Sequence, residues 1–467
     1  MINVNLAWLQ QTLALSEADV VNLSRSQLNQ QIEYVITDSR VIEPGQVFVA
    51  LKGENFDGTK FVQQVADKGA IAVVVESKQD IDIPQFIVAD TLKAYGKIAA
   101  QIALESNVKT IAVTGSVGKT TVKEMCAAIL AQAGKVLATA GNFNNEIGVP
   151  HTLMRFNPQF DFAVVELGAN HVGEIAYTTS LTQPDVAILN NVAEAHLEGF
   201  GGISGVVKAK GEIFEGLTSN GTAIVNGDCE YKDAWLSSLT EKSVIEFTLD
   251  DTLAGSPKVI TAKSIRLDLQ AKAEFIAVFG NKEFPVTLSI PGRHNVANAL
   301  AAASACLALG VSVEQVQAGL MQMSAVKGRM NVHKVSSSLE LIDDTYNANV
   351  GSIKAAIDLL AEKQGPTALV LGDMAELGDE SEFYHRQIGQ YATQQKIDFL
   401  YTCGNDSEFA ATEFPTPNHF FEHSSLVAAL EQLVLSTKQP LTMLFKGSRS
   451  AKMELALQAL INKLNKN

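Results

Sequence analysis

Thr110-Ile-Ala-Val-Thr-Gly-Ser-Val-Gly-Lys-Thr-Thr121 is an apolar strand that runs into a Gly-containing turn and then into a helix predicted over Val122–Ala133. Such a turn aims backbone N–H groups and a helix N-terminus at a chain of phosphates. Lys119 adds a point charge and the Thr120 hydroxyl a ligand for magnesium, so the stretch predicts a nucleoside triphosphate site. The general pattern places a glycine five residues before Gly118; here Val113 stands there and a glycine follows at 115. The strand before and the helix after carry the assignment against a chance Gly-Lys-Thr tripeptide.

Outward from this unit the same alternation recurs. Apolar strands are predicted at Phe162–Leu167, Val186–Asn190 and Thr222–Val225, each followed by a polar or glycine-containing loop and a helical stretch. Fully apolar strands joined by helices imply a parallel sheet covered on both faces. Shorter alternating segments at Ile276–Phe279 and Phe284–Ile290 predict an antiparallel extension of it. A helix over Val296–Leu309 ends at Gly310, which can supply a left-handed cap. Before the central unit, runs at Tyr34–Thr37, Val47–Leu51 and Ala70–Val75 surround a helical pattern at Thr59–Lys68. After it, strands at Leu339–Asp343, Ala368–Leu371, Phe399–Tyr401 and Thr442–Phe445 alternate with helices. The expected fold is therefore α/β in three domains: a small α/β domain over 1–85, a central P-loop mononucleotide-binding parallel sheet over 86–312, and a Rossmann-like C-terminal domain over 313–467.

The chain has 467 residues, 46% of them hydrophobic, and a net charge of −15. That length and balance suit an ordered globular protein of several domains. The acidic surface repels phosphate backbones and argues against nucleic acid as a partner. The cysteines, Cys126, Cys229, Cys306 and Cys403, are far apart, without metal or redox spacing, which fits a reducing cytoplasm. No Lys or Arg precedes Arg25, so the basic region of a secretory signal is not expected. The charge-free run His294–Val313 reaches about the twenty residues of a membrane span, but its alanines and its polar Asn295, Asn298 and Ser304 favour a buried helix and no membrane insertion.

Ligands of open parallel sheets bind outside the strand carboxyl ends. Glu166 ends an apolar strand, where a carboxylate needs a cation or donors, and magnesium is a natural partner. His196 lies just past another strand end, and Lys208, Lys210 and Glu212 follow on a helical stretch. Taken singly, such a histidine and such lysines are more often surface residues than ligands.

Together these segments closely resemble the Mur ligase family of ATP-dependent amide-forming enzymes of peptidoglycan precursor synthesis. The resemblance spans essentially the full chain. It rests on Thr37-Asp-Ser-Arg40, the P-loop, Gly141-Asn-Phe-Asn-Asn-Glu-Ile-Gly148, Glu166-Leu-Gly-Ala-Asn-His171, Ala209-Lys-Gly-Glu-Ile213, His294-Asn-Val-Ala-Asn298, Gly328-Arg329 and Asp343-Asp-Thr-Tyr-Asn-Ala-Asn349. With Leu371-Gly-Asp-Met-Ala-Glu-Leu-Gly378, the wording is most similar to the member that adds D-alanyl-D-alanine to UDP-N-acetylmuramoyl-tripeptide.

The resemblance implies ATP and Mg2+, an acyl-phosphate intermediate, and a role for each residue. The turn Gly115, Ser116, Val117, Gly118, Lys119, Thr120 and Thr121 would hold the phosphates, with Lys119 on the β- and γ-phosphates. Thr120 and Glu166 would hold one magnesium. His196 and Lys210 would serve a second, the lysine as an Nζ-carbamate. Asn298 would contact adenine, Arg329 phosphate and Asp344 ribose, with Asn347 and Asn349 in the same loop. Asp38, Ser39 and Arg40 would belong to a uridine site, and Asn145 would lie near the tripeptide end.

Two stretches lie outside the nucleotide site. Lys446, Ser448 and Arg449 of Phe445-Lys-Gly-Ser-Arg449 can receive the dipeptide carboxylate, or form an ordinary strand end. Gly53-Glu-Asn-Phe-Asp-Gly58 can shape the uridine site or form a turn. The family commonly has Pro where Val350 stands and His where Thr59 stands. A diamino-acid-adding relative would carry Asp-Asn-Pro-Arg and a folate polyglutamylating one a Gly-Lys-Gly P-loop; neither occurs here. A P-loop switch or motor would hydrolyse ATP without a carboxylate acceptor and leaves Lys210, Asn298 and Asp344 unexplained. A monomer is compatible with the charge.

Overall fold

A computed structural model describes residues 2–465 except 54–55, 194–196, 269–270, 324–327 and 376. Its centre is a nine-stranded sheet ordered Val136–Ala138, Phe162–Glu166, Lys109–Thr114, Val186–Leu189, Thr222–Asn226, Ser243–Thr248, Val259–Leu267, Lys272–Phe279 and Lys282–Pro291. The first seven strands are parallel and the last two antiparallel. The P-loop strand Lys109–Thr114 lies between Phe162–Glu166 and Val186–Leu189, so strand order reverses around it. That reversal opens a crevice at the carboxyl ends. The expected parallel strands are present within a residue or two at their ends, because a strand apolar on both faces is legible without its neighbours; the antiparallel strand expected at Ile276–Phe279 starts four residues earlier, at Lys272, where alternating polar residues hide it.

The helix after the P-loop runs Lys119–Leu130, starting earlier than the apolar pattern indicated. Its first turn is polar because it faces the crevice. The Ala-rich helix His294–Ala308 packs on it, with Ala299, Ala301, Ala302 and Ala305 buried. Among the described residues no helix is long and apolar enough to cross a membrane.

The first domain has a five-stranded sheet, ordered Val20–Val21, Gln85–Ile87, Ala72–Val75, Val47–Val49 and Val35–Ile36. Residue 85 is therefore not its end: Gln85–Ile87 pairs with both Val20–Val21 and Ala72–Val75, and the sheet closes only after Ile87. A helix absent from the sequence-based expectation, Thr91–Ser106, follows. Asp90 caps it by accepting the Lys93 N–H at 2.9 Å. Its Tyr95, Ile98 and Ile102 join Leu6, Leu9 and Phe86 of the first domain to Val149, Phe156 and Ile175 of the second in one apolar core. The two domains are thus packed as a unit.

The boundary placed at 313 also moves. Val313–Gln322 is a helix whose Ser312 and Gln315 form a reciprocal N-terminal cap. Val316, Leu320 and Met323 belong to the core of the central sheet. Gly319 lets the helix approach the P-loop helix so closely that a Cβ there would stand 2.4 Å from the Ile129 Cα. The last domain's six-stranded sheet begins only at Asn331. Its order is Asn331–Ser336, Leu339–Asp344, Leu441–Lys446, Thr367–Gly372, Phe399–Cys403 and Asn418–Phe420, parallel apart from the first strand.

Candidate active site

The carboxyl ends of the central and last sheets face one another across a cavity of about 1480 Å³. From the central sheet the P-loop enters it. Gly118 has φ +80°, and a Cβ there would stand 2.7 Å from Asn190 Nδ2 and 2.8 Å from Asn298 Oδ1. Only glycine suits that position. The turn is clamped from the next strand end: Asn191 Oδ1 accepts the Val117 N–H at 2.9 Å, and Asn190 and Asn191 both donate to the Val117 carbonyl, at 3.1 and 3.0 Å. Ser116 bonds Ala193 through its hydroxyl. Lys119 curls back over the loop, its Nζ 2.7 Å from the Gly115 carbonyl and 3.3 Å from that of Ser116. Thr121 lines the same cavity.

At the neighbouring strand end the buried Glu166 accepts from the Thr120 hydroxyl and from Asn144 Nδ2, both at 2.9 Å. Hydroxyl and carboxylate oxygens are hard donors of the kind magnesium takes. Among the described residues no three His, Cys, Asp or Glu side chains cluster to hold a metal unaided. A magnesium ion at Thr120 and Glu166 would therefore complete its shell with water and nucleotide oxygens, its usual habit.

Lys210, on the helix Ile203–Gly211, is buried. Burial, with the Lys119 charge second, pushes its ammonium down to about 7, against smaller upward effects of Glu174 and Glu212. Its Nζ stands 5.4 Å from the Phe200 ring centroid. It does not line the cavity among the described residues. His196 lies outside the described residues, as do Glu54, Asn55 and Glu376 of the quoted segments.

The opposite wall comes from the last domain. Arg329 reaches across to place Nη2 3.1 Å from the Thr120 hydroxyl and stacks over Tyr346 at 4.4 Å. Its Nε is buried and has no partner among the described residues, a donor left for an anion such as a phosphate oxygen. Asp344 and Lys446 are register partners on adjacent strands and form a buried ion pair. The Lys446 ammonium also donates to the Asn347 carbonyl at 3.0 Å. The lysine expected at the dipeptide carboxylate is therefore engaged with the aspartate expected at the ribose. Arg449 is mostly exposed and pairs with Glu454 at 2.8 Å; Ser448 is buried beside it, with Ser450 3.0 Å from its hydroxyl.

Other expectations meet simpler geometry. Asn349 caps the helix Val350–Ala361, accepting the Ser352 N–H at 2.9 Å. Val350 is the first helical residue, a position that tolerates proline equally well, so the departure there leaves the loop unchanged. Asn145 is exposed in the cavity and accepts the Gly148 N–H at 2.9 Å, while the adjacent Asn144 is the residue on Glu166. Asp38 and Arg40 pair with each other at 2.7 Å, which with the Arg40 hydrogen bonds holds the Asp38 carboxyl down to about 2. Ser39 is buried next to them, and its carbonyl accepts from Lys68. Among the described residues none of the first domain lines the cavity. Thr59 bonds Asp57 through its N–H and hydroxyl. Asn144, Asn190, Asn191 and Tyr346 are site residues that sequence reasoning left unassigned; a pair of amides directly after an apolar strand was the available signal.

Three family models match the chain: "Mur ligase family, catalytic domain" over 31–132, "Mur ligase middle domain" over 113–306, and "Mur ligase, glutamate ligase domain" over 328–449. The chain is 46% identical to UDP-N-acetylmuramoyl-tripeptide--D-alanyl-D-alanine ligase of Escherichia coli (strain K12), covering 95% of this chain and 96% of that one. Among solved structures it superposes on MurF from Acinetobacter baumannii with a TM-score of 0.90 and 35% identity, covering 99% of each. It superposes on MurF ligase from Thermotoga maritima in complex with ADP with a TM-score of 0.82 and 27% identity, covering 93% and 98%. With a crevice between a P-loop sheet and a Rossmann-like sheet, and an arginine of the second bonded to the threonine of the first, the chain belongs to the Mur ligase family.

Proposed function

We propose that the chain is an ATP-dependent ligase that joins D-alanyl-D-alanine to UDP-N-acetylmuramoyl-tripeptide, completing the pentapeptide precursor of peptidoglycan. The structural observation that carries it is the contact of Arg329 with Thr120 across the cleft. It brings a cation with a spare donor to the corner where phosphate and metal would meet, so chemistry there depends on the two domains closing. The substrates follow from the relatives, which match nearly end to end.

The substrate carboxylate attacks the γ-phosphorus of ATP, ADP leaves, and an acyl phosphate forms. The dipeptide amine then attacks the acyl carbon and phosphate departs. Lys119 neutralises charge on the β- and γ-phosphates, and Arg329 on the transferred group. Bound magnesium supplies further charge neutralisation, held through Thr120 and Glu166. Lys210 with an ammonium near 7 is substantially neutral at cellular pH. A neutral amine can take up carbon dioxide as a carbamate, an oxygen ligand that with His196 would serve a second magnesium. Asn298 takes the adenine and Asp344 the ribose, held in place by Lys446. Asn347 and Asn349 shape that loop. Ser448 and Arg449 remain for the dipeptide carboxylate, Asn145 for the tripeptide end, and Asp38, Ser39 and Arg40 for the uridine nucleotide. The enzyme would work as a cytoplasmic monomer, without nucleic acid or membrane insertion.

The test is phosphate release from ATP with each substrate singly and with both, and mass spectrometry of the product. Release that needs both, with a pentapeptide product, is expected. Release indifferent to both would leave an ATPase and overturn the proposal.

A further inference from the structure

A line of carboxamides joins the Ala-rich helix to the P-loop. Asn295 Nδ2 donates to the Pro291 carbonyl at 2.7 Å, Asn298 Nδ2 to Asn295 Oδ1 at 2.8 Å, and Asn190 Nδ2 to Asn298 Oδ1 at 2.9 Å. Asn190 Nδ2 donates also to the Val117 carbonyl at 3.1 Å. Both ends of the line are backbone carbonyls, which accept and never donate. The direction of every amide between them follows. Asn295 must turn its NH2 to Pro291 and its oxygen to Asn298; Asn298 must then turn its NH2 to Asn295 and its oxygen to Asn190. Flipping Asn298 alone would set oxygen against oxygen on one side and NH2 against NH2 on the other. The three residues are 2%, 4% and 7% exposed for Asn190, Asn295 and Asn298, so water would not replace the lost bonds.

Among the described residues these bonds use half of what Asn298 offers: its oxygen keeps a lone pair and its NH2 a hydrogen. An oriented carboxamide of that kind complements the 6-amino group and N7 of adenine together. A 6-oxopurine presents two acceptors along the same edge, and its O6 would face the fixed amide oxygen. Flipped, the amide would set NH2 against the adenine 6-amino group and oxygen against N7, losing both bonds, whereas a 6-oxopurine meets one bond and one oxygen-acceptor clash in either orientation, so only adenine gains from the orientation held here.

We propose that Asn190 is the specificity-determining positioning residue of the nucleotide site: by holding the Asn298 carboxamide in one orientation it selects adenine over 6-oxopurine nucleotides. This rests on the assignment of Asn298 to the base. Asn190 acts through Asn298, and its second bond to Val117 ties base selection to the loop that carries the phosphates.

The test compares kcat/KM for ATP and for ITP in the ligation reaction. Both nucleotides share the triphosphate, so any damage to the P-loop cancels in the ratio. The unmodified enzyme should prefer ATP by tenfold or more, and Asn190→Asp, which asks for the NH2 of Asn298 instead of its oxygen, should reduce that preference roughly tenfold. Asn190→Leu makes no polar demand, leaves Asn295 to orient the amide, and should reduce it by about threefold, which gives a second variant if the first does not fold. A preference near one in the unmodified enzyme overturns the proposal without any variant. Asn298→Ala separates the two layers. If it keeps the preference, Asn298 does not meet the base and the site assignment fails. If it loses the preference while both Asn190 variants retain it, the role of Asn190 alone fails.

Discussion

Replacing Lys446 by Met removes the cation from a pair whose side chains are 3% and 11% exposed for Lys446 and Asp344. Asp344 would keep one backbone donor, the Met330 N–H at 3.3 Å, and face the cleft as a nearly buried, uncompensated carboxylate. Breaking one partner of a buried pair costs ~3–5 kcal/mol. For a domain of this size that corresponds to a fall of roughly 10 °C in its thermal transition. Calorimetry reads the transition, and initial rates give separate KM values for ATP and for the dipeptide. The expected result is a destabilised C-terminal domain and a raised KM for ATP, with the dipeptide KM changed little. The double variant Asp344→Asn, Lys446→Met should recover most of the stability, since removing both charges is close to neutral, without recovering ATP affinity. A single variant within ~1 kcal/mol of the parent whose only defect is a raised dipeptide KM would refute the pairing and return Lys446 to the dipeptide carboxylate.

Lys210→Met should abolish ligation and alter the pH dependence of stability. The folded value of about 7 lies below the ordinary lysine value of 10.5, so the unfolded chain holds the extra proton between them and parental stability rises with pH through that window. The variant should gain on the parent by ~3 kcal/mol more at pH 6 than at pH 9 in bicarbonate-free buffer; a difference independent of pH would contradict the buried neutral amine. Gly118→Ala should lower ADP affinity at least tenfold by calorimetry, because φ +80° costs ~1–2 kcal/mol for a side chain and the added Cβ displaces the Asn190–Asn298 bond. Unchanged affinity would mean the turn is not the phosphate cradle. Glu166→Gln keeps the hydrogen-bonding shape around Thr120 but removes the charge, so the magnesium concentration for half-maximal rate should rise about tenfold or more, and an unaltered magnesium titration would remove Glu166 from the metal site.

The P-loop, its strand and the parallel strands beside it were legible because each is a local signal: an apolar run, a glycine turn, a helix. The helix Thr91–Ser106 carries no motif to single it out, and its place is fixed by the cores of two domains at once. The boundary at 313 failed for a related reason. Gly310 and Ser312 mark a true helix stop and start, but not that the next helix folds back onto Ile129, which the burial of Val316 and Leu320 and the close approach at Gly319 reveal. In the site, Lys119, Thr120 and Glu166 follow from motif and strand end. The pairing of Asp344 with Lys446 joins residues 102 positions apart, and the clamp of Asn190 on Val117 spans 73. Contacts at such separations depend on strand order, so the same sequence signal suited either a substrate ligand or a partner for another side chain.

The central claim is that ATP is used to activate a carboxylate. Tripeptide substrate carrying 18O in its terminal carboxylate, incubated with ATP, Mg2+ and D-alanyl-D-alanine, should deliver one 18O to inorganic phosphate for each amide formed, because the acyl phosphate breaks with its bridging oxygen on phosphorus. Phosphate free of label, or label found in AMP, would contradict phosphoryl transfer to the carboxylate.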